Sequence, residues 1–284
     1  MARSSPAVGR VVAILNFIAD HPGQSFTLTD LVRALRLSRA TCHGLLTGLV
    51  EAGYLYRSND KSYLLGPALI AMGEVAKAHF SPMQVTQPEM RALADEYDAL
   101  CAACFLEGTD TVIKDRAAAA SQVGASTRRG SRLPLLAQFA SVFFVWSPPS
   151  EVNAWLESLD PEPRKDKRDA MLKGIDVIRE RGFGVSARHG EWSEGPTPLD
   201  QRASIEVLET TMFPVFDIDP DADYHLASMQ GPVYDSRRRV AFVLALSGFK
   251  GSYKGSEVTR IGERLRETCE RVSSFISRIP ADSF

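Results

Sequence analysis

Apolar positions in the first third of the chain recur at helical spacing in three short segments. In the first segment they fall at i, i+3, i+4 and i+7, the pattern of a helix that is buried along one face. The three apolar stripes are Val11, Ile14, Leu15, Ile18, then Leu28, Leu31, Val32, Leu35, then Cys42, Leu45, Leu46, Leu49. This spacing predicts three short amphipathic helices that pack around one small core.

Polar residues and glycine at the ends of these segments are typical helix start and stop signals. Thr27 and Asp30 have the spacing of a capping box, Ser38 is placed to cap the third helix, and Gly53 follows its end. Because only about three residues join the second and third helices, the pair is predicted to be a helix-turn-helix.

Two short β-prone runs, YLYR and KSYLL, follow the third helix and flank the polar turn SND. They predict a β-hairpin. Three helices followed by a hairpin are typical of a winged helix-turn-helix. The alternative is a generic three-helix packing unit, which also occurs in proteins that do not bind DNA.

The polar side of the third helix has the side chains that a DNA recognition helix needs. Arg39 in its first turn can pair bidentately with guanine, and a methyl group of Ala40 or Thr41 can touch a thymine methyl. Arg57 and Lys61, on either side of the hairpin tip, are placed for phosphate contacts. The predicted DNA-contacting residues are Thr27, Ser38, Arg39, Ala40, Thr41, His43, Gly44, Arg57 and Lys61.

Beyond about residue 83 the pattern predicts a mixture of helices and strands. PEMRALADEYDAL, GSRLPLLAQFASVFFVW and RDAMLKGIDVIRERG are predicted helices, and an amphipathic helix closes the chain. The predicted strand pairs are CAACFLE with TVIKDRA and YHLASMQGPVYD with RRVAFVLALSG. Residues 188–226 are expected to be a loop-rich insertion with one short helix near 200–210, which is a lid, an interface or a tolerated surface insertion.

Length, composition and charge narrow the class of protein. A chain of 284 residues with 44% apolar and 24% charged residues is typical of a soluble protein with two domains. Residues 1–80 hold eight basic and five acidic side chains, whereas the rest holds 25 basic and 30 acidic ones. No apolar run is long enough for a membrane span, and no secretory signal is present. Four cysteines make no disulfide framework, which favours the cytoplasm.

Candidate catalytic and metal-binding residues are few. Cys101 and Cys104 have CxxC spacing, but residues three apart in a strand point to opposite faces, and no second pair completes a zinc set. His189 lies near Glu191 and Glu194 without a catalytic spacing. No G-x-S-x-G, Walker A or H-E-x-x-H motif is present. The sequence therefore predicts no metal, no cofactor and no enzyme activity.

Residues 9–80 resemble the DNA-binding head of the IclR family of bacterial transcriptional regulators. The resemblance is carried by SRATCHGLL, LVEAGYL and SYLLGPALIAMG, and in the C-terminal part by GSRLPL, VIRERGFGV and GPVYDSRRRVAFVLALSG. It implies an α+β fold with a winged helix-turn-helix in 1–65. A linker helix in 66–82, which packs in a dimer in the family, leads to a GAF-like α/β effector-binding domain in 83–284.

The resemblance also implies partners. They are double-stranded operator DNA, a second copy in a homodimer or dimer of dimers, and a small carboxylate-bearing metabolite that modulates operator affinity. The effector-binding residues carried over by position are Ala125, Phe139, Ala140, Ser186, Ser228, Ala245 and Ser247.

Several residues depart from the family pattern, and after RLPL, where the family normally has small residues leading to Gly-Lys, they are Gln138, Phe139, Ser141 and Val142. Gly44 replaces a basic residue and Phe139 replaces a very small one, and the second change favours an aromatic or medium-chain acid. The alternative function is a GAF-like binding or catalytic protein whose head serves only oligomerisation. Steep salt dependence of DNA binding would separate the two.

Overall fold

The structure is a computed structural model, and it describes residues 5–79, 81–122, 128–189 and 211–278. The chain divides into two compact units, residues 1–80 and 81–284. The boundary falls directly after the helix that the resemblance identifies as the linker. Each unit has its own hydrophobic core.

Four helices and a three-stranded sheet form the first unit. The helices are α1 (Pro6–Ala19), α2 (Leu28–Leu35), α3 (Arg39–Glu51) and α4 (Ala68–His79), and the strands are β1 (Phe26–Thr27), β2 (Leu55–Arg57) and β3 (Ser62–Leu65). β3 lies between β1 and β2 and is antiparallel to both. The predicted winged helix-turn-helix is confirmed, and its buried core consists of Ile14, Ile18, Leu31, Cys42, Leu46, Leu49, Leu55 and Tyr63.

A seven-stranded antiparallel sheet organises the second unit, with the order β6-β5-β4-β11-β10-β7-β8. Its strands are β4 (Leu100–Glu107), β5 (Asp110–Ala118), β6 (Arg132–Pro134), β7 (Gly184–Arg188), β8 (Met212–Pro214), β10 (Leu226–Tyr234) and β11 (Val240–Ser247). A separate pair is formed by β9 (Asp223–Tyr224) and β12 (Tyr253–Lys254). The helices are α5 (Pro82–Glu96), α6 (Pro149–Glu157), α7 (Lys165–Arg181) and α8 (Gly255–Ile276). Residues Ala120–Gln122 and Ala137–Phe144 form 3₁₀ helices, and the second is called the long 3₁₀ helix below.

Helices cover both faces of this sheet. α5 and α8 pack on one face, where Phe183, Phe242 and Leu265 belong to the largest buried cluster. Gly262 permits the close approach of α8, because a Cβ atom at this position would lie 2.1 Å from the Phe183 ring. The long 3₁₀ helix packs on the other face, with α7 against it. These layers give the predicted α+β fold.

Two segments of the second unit differ from their predicted structure. GSRLPLLAQFASVFFVW does not form one α-helix: its start is strand β6, which pairs with β5, and the long 3₁₀ helix follows. The prediction was wrong because a pairing with a distant segment uses the backbone groups of Arg132–Pro134. Residues 188–226 contain the edge strand β8, whereas the helix predicted near 200–210 lies outside the described residues.

Candidate DNA-binding surface and effector cavity

Side-chain caps fix the turn between α2 and α3. The Thr27 backbone N–H donates to Asp30 Oδ2 at 2.9 Å and the Asp30 N–H donates to Thr27 Oγ1 at 3.4 Å, which completes the predicted capping box. The hydrogen bonds from Thr27 lower the pKa of the Asp30 carboxyl. Ser38 Oγ accepts from the Thr41 N–H at 3.1 Å, and Arg36 takes a left-handed conformation with φ of 52°. The hydroxyls of Thr27 and Ser38 therefore cap α2 and α3 and help to fix the turn between these helices.

The outward side of α3 is formed by small or nitrogen-bearing side chains. Cys42, Leu46 and Leu49 face the core, whereas Arg39, Ala40, His43, Gly44 and Thr47 are exposed and Thr41 is half-buried. A Cβ atom added at Gly44 would meet nothing within 4 Å. The outward side chains next to Arg39 and His43 are therefore small and leave these two side chains accessible.

The wing tip is held in one conformation by an aspartate. Asp60 Oδ1 accepts a hydrogen bond from the Ser58 hydroxyl and one from Ser62 Oγ at 2.8 Å, and these bonds lower its pKa. Lys61 takes a left-handed conformation at the tip, with φ of 64°. Arg57 lies on β2, with its guanidinium carbon 5.8 Å from the centre of the Tyr63 ring. The wing thus presents two cations on a fixed turn.

The cations of the first unit whose side chains the structure describes have no salt-bridge partners. Within the described ranges, every salt bridge found joins residues of the second unit. The side chains concerned are Arg10, Arg33, Arg36, Arg39, Arg57 and Lys61. Because Asp30 and Asp60 are engaged in a cap and a turn, the positive charge of this unit remains available for an anionic partner.

Two helices of the first unit expose apolar side chains. On α1, Val8 is 61% and Val12 is 47% exposed. On α4, Ile70 is 70%, Met72 is 53% and Val75 is 62% exposed. α4 has no buried residue among its described side chains, so its apolar side chains are left uncovered within this unit.

The sheet brings several predicted effector residues onto one face. Ser228 pairs with Ser186 on one side and with Ser247 on the other, and Ala245 is opposite Gln230. Cross-strand partners point to the same face of a sheet, so these side chains form two neighbouring rows. Ala245 also packs with the cluster beneath the long 3₁₀ helix.

Two of the remaining three predicted effector residues lie elsewhere. Ala140 is fully buried against Trp155 and Met171 rather than against the serine row. Ala125 lies outside the described residues.

A cavity lies between the long 3₁₀ helix, α7 and the sheet. Its free volume is about 20 Å³, enough for one water molecule. Phe139 and Ser186 of the predicted set line it, whereas Ala140, Ser228, Ala245 and Ser247 do not. The other lining residues are Gln138, Ser141, Gly174, Val177, Ile178, Arg181, Gly184, Val185, Pro214, Val215, Phe216 and Gln230. The pattern of residues at 188–226 gave no sign that Phe216 would reach this place.

Gln138 is the polar group that distinguishes this cavity. Its side chain is buried, with 3% exposed, and neither amide atom has a hydrogen-bond partner among the described residues. Gln138 was not among the predicted site residues. A signal for it existed, because it interrupts the apolar run LPLLAQFASVFFVW, and a polar residue within a buried apolar run is an informative exception.

Arg181 is the one charged residue among the described lining residues. Its Nε donates to the Phe183 carbonyl at 3.0 Å, Nη2 to Val215 at 3.2 Å and Nη1 to Phe216 at 3.4 Å. Burial lowers its pKa to about 10, so the side chain stays charged at neutral pH. All three nitrogens are thus engaged with backbone carbonyls beside β7 and β8.

The cysteine and histidine candidates do not form a site in the described part of the chain. Cys101 and Cys104 belong to the clusters on opposite faces of the sheet, as expected for a strand. Burial raises the pKa of both thiols, to about 12 for Cys104. The His189 ring packs on Phe213 with 4.6 Å between ring centres, and Glu191 and Glu194 lie outside the described residues. No metal-binding group of three His, Cys, Asp or Glu residues occurs in the described ranges.

Known proteins resemble this chain over its whole length. The family model of the IclR helix-turn-helix domain matches residues 7–58. The HTH-type transcriptional regulator KipR of Bacillus subtilis is 21% identical over 283 residues, which cover 96% of this chain and 98% of KipR.

Solved structures share the fold. The repressor BlcR of Agobacterium tumefaciens superposes with a TM-score of 0.63 at 19% identity and covers 97% of this chain and 99% of its own. HmgR of Pseudomonas aeruginosa gives a TM-score of 0.60 at 19% identity and covers 96% and 98%. In the described ranges no helix is both long and apolar enough to span a bilayer.

Proposed function

We propose that this chain is a transcriptional regulator of the IclR type, whose helix-turn-helix model residues 7–58 match, and that it binds double-stranded operator DNA as a homodimer or dimer of dimers. We also propose that a small molecule in the cavity of the second unit changes its operator affinity. As a transcriptional regulator it is not an enzyme.

The observation that carries the DNA-binding proposal is the surface of α3 and the wing. Arg39 and His43 project from a helix whose other outward residues before Glu51 are small, and Arg57 and Lys61 flank the wing tip. None of Arg39, Arg57 and Lys61 has a salt-bridge partner among the described residues, so their charge is free to replace counterions on the phosphates. When α3 and the wing bind DNA in this way, Arg39 contacts a base edge and Lys61 contacts the phosphate backbone of the DNA.

The test is binding to DNA fragments selected from the genome, followed over a range of salt concentrations. Arg39→Ala should weaken binding to the preferred site by about 1–3 kcal/mol and relax base choice there. Lys61→Ala should weaken binding to all sequences and reduce the salt slope by about one. Arg260→Ala removes the same charge from an exposed position on α8 and serves as the control. If both head variants bind every duplex as the parent does, the assignment of these residues is wrong.

Self-association is supported by the exposed apolar residues of α1 and α4. Val8, Val12, Ile70 and Val75 are each about half exposed or more. A second copy of the chain is the partner that would cover the same apolar stripe on each protomer, because two-fold interfaces use one patch twice. A dimer also fits recognition of two half-sites on DNA.

Effector control is supported by the cavity and by the serine row beside it. The cavity combines apolar walls with convergent polar groups, as small-molecule sites do, and a ligand larger than one water molecule would have to enlarge it. A ligand that binds one conformation of the second unit more tightly would shift operator affinity by a coupling free energy. Titration of the DNA complex with candidate metabolites measures that coupling directly.

The alternative function, a binding protein whose head only oligomerises, predicts a different result in the same assay. Such a protein would show weak DNA binding without preference among the selected fragments. A parent with high affinity for one fragment and a steep salt slope contradicts that alternative.

A further inference from the structure

The buried amide of Gln138 has two hydrogen-bonding needs that the chain does not meet. Nε2 is a donor and Oε1 is an acceptor, and neither is paired among the described residues. Buried polar side chains nearly always have partners, so an unpaired amide on the wall of a cavity points to a group that binds there.

Three neighbouring polar side chains already make hydrogen bonds. Ser141 Oγ donates to the Met171 carbonyl at 2.9 Å, and Gln230 Nε2 donates to Ser228 Oγ. Arg181 donates to three backbone carbonyls. Among the described lining residues, Gln138 is the side chain with a fully buried donor and a fully buried acceptor that are both unpaired.

Aromatic side chains form the walls next to this amide. Phe139 and Phe216 both line the cavity. Phe139 is half-buried, and a ligand larger than one water molecule requires its ring to turn toward solvent. A flat molecule fits between such walls better than a branched one.

We propose that the cavity takes a small, uncharged, planar molecule with an amide edge, as in a primary amide, a lactam or a urea. The Gln138 Nε2 donates to the carbonyl of the ligand, and Oε1 accepts its adjacent N–H. The same side chain reads an adjacent acceptor and donor on adenine in this bidentate way. The inference rests on the proposed effector function and names the class of effector.

A carboxylate is a poor match for the same amide. It offers acceptors and no donor, so it would pair with Nε2 and leave Oε1 unpaired beside a negative oxygen. The charged group that lines the cavity, Arg181, uses three of its five N–H groups on backbone carbonyls, so benzoate is the competing probe in the test below. The unpaired amide of Gln138 is what favours an amide effector over the carboxylate that the family resemblance implies.

Calorimetry of the full-length chain with benzamide and benzoate tests the proposal, because the two probes share a ring and differ only in the polar end. The parent should bind benzamide at least about tenfold more tightly than benzoate. Gln138→Met should weaken benzamide binding about tenfold or more, and Gln138→Glu should do the same because two carbonyl-type acceptors then meet. Gln24→Met changes an exposed glutamine of the first unit and should leave both affinities unchanged.

Three results would overturn the amide proposal: tighter binding of benzoate, benzamide binding that ignores Gln138→Met, and no binding of either probe. The preference of the parent needs no variant, so a poorly folding variant does not remove the test. Operator binding is measured separately. If the operator complex responds to carboxylates, the proposed function stands and the amide proposal is wrong. If benzamide binds through Gln138 but no operator is found, the amide site stands without the regulatory function.

Discussion

Replacement of Gln138 by methionine should stabilise the second unit in the absence of ligand. Methionine has nearly the length of glutamine and no group that needs a hydrogen bond, and its flexible side chain adapts to irregular space. The change removes a donor and an acceptor that are buried without partners. The unpaired amide of Gln138 lowers the stability of the folded protein, and a ligand that pairs with the amide would recover this stability on binding.

The size of the effect follows from the cost of an unpaired buried polar group, about 1–3 kcal/mol. We expect Gln138→Met to raise the free energy of unfolding by about 1–2 kcal/mol, since some of the gain is lost to imperfect packing. In a unit of about 200 residues, each 1 kcal/mol corresponds to about 2–4 °C in Tm.

A matched change at a satisfied glutamine gives the contrast. Gln122 Nε2 donates to the Asp98 carbonyl at 3.0 Å and to the Gly248 carbonyl at 2.9 Å. Gln122→Met should therefore lower the free energy of unfolding by about 1–2 kcal/mol. Urea unfolding of the full chain, followed by tryptophan fluorescence, measures both variants, because all three tryptophans lie in the second unit. If Gln138→Met is destabilised as much as Gln122→Met, the Gln138 amide is hydrogen-bonded in the folded protein and the reasoning fails.

Three further predictions concern other parts of the chain. Val75→Asp should shift the protein from dimer toward monomer in sedimentation, because it places a charge in the exposed apolar stripe of α4; an unchanged dimer would exclude this helix from the interface. Gly174→Ala should lower Tm by several degrees, since its Cβ atom would lie 2.3 Å from Ser141 Oγ; a Tm equal to the parent's would contradict the tight packing of α7 on the long 3₁₀ helix. Cys104, whose pKa is raised to about 12 by burial, should react with a disulfide reagent at about pH 8 only as the protein unfolds. Fast labelling of the folded protein would show that its strand opens.

The architecture of the first unit was predictable because its signals are local. The stripe from Val11 to Ile18, the Thr27–Asp30 box and the short turn before Ser38 each act within one or two helical turns. Local patterns of this kind leave little room for tertiary structure to override them. The DNA contacts themselves stay a prediction, since side-chain exposure does not identify a base.

The effector cavity was harder to predict because its walls come from distant segments. Strand β6 forms by pairing with β5, and Phe216 reaches the cavity from a stretch without a clear pattern. The run around Gln138 has the composition of a buried helix, and its 3₁₀ conformation is set by packing against α7 and the sheet. Only the polar residue Gln138 within this apolar run indicated from the sequence that the segment differs from an ordinary buried helix.

The 3₁₀ conformation of Ala137–Phe144 connects ligand binding in the cavity with the length of this segment. A 3₁₀ helix rises about 2.0 Å per residue and an α-helix about 1.5 Å, so rewinding Ala137–Phe144 as an α-helix would shorten it by about 4 Å. Residues three apart eclipse each other in the 3₁₀ form, which aligns Gln138 with Ser141 along the cavity; α winding would turn one from the other by about 60°. A molecule held by Gln138 as proposed would therefore depend on the 3₁₀ form, because α winding would break the alignment of Gln138 with Ser141 along the cavity.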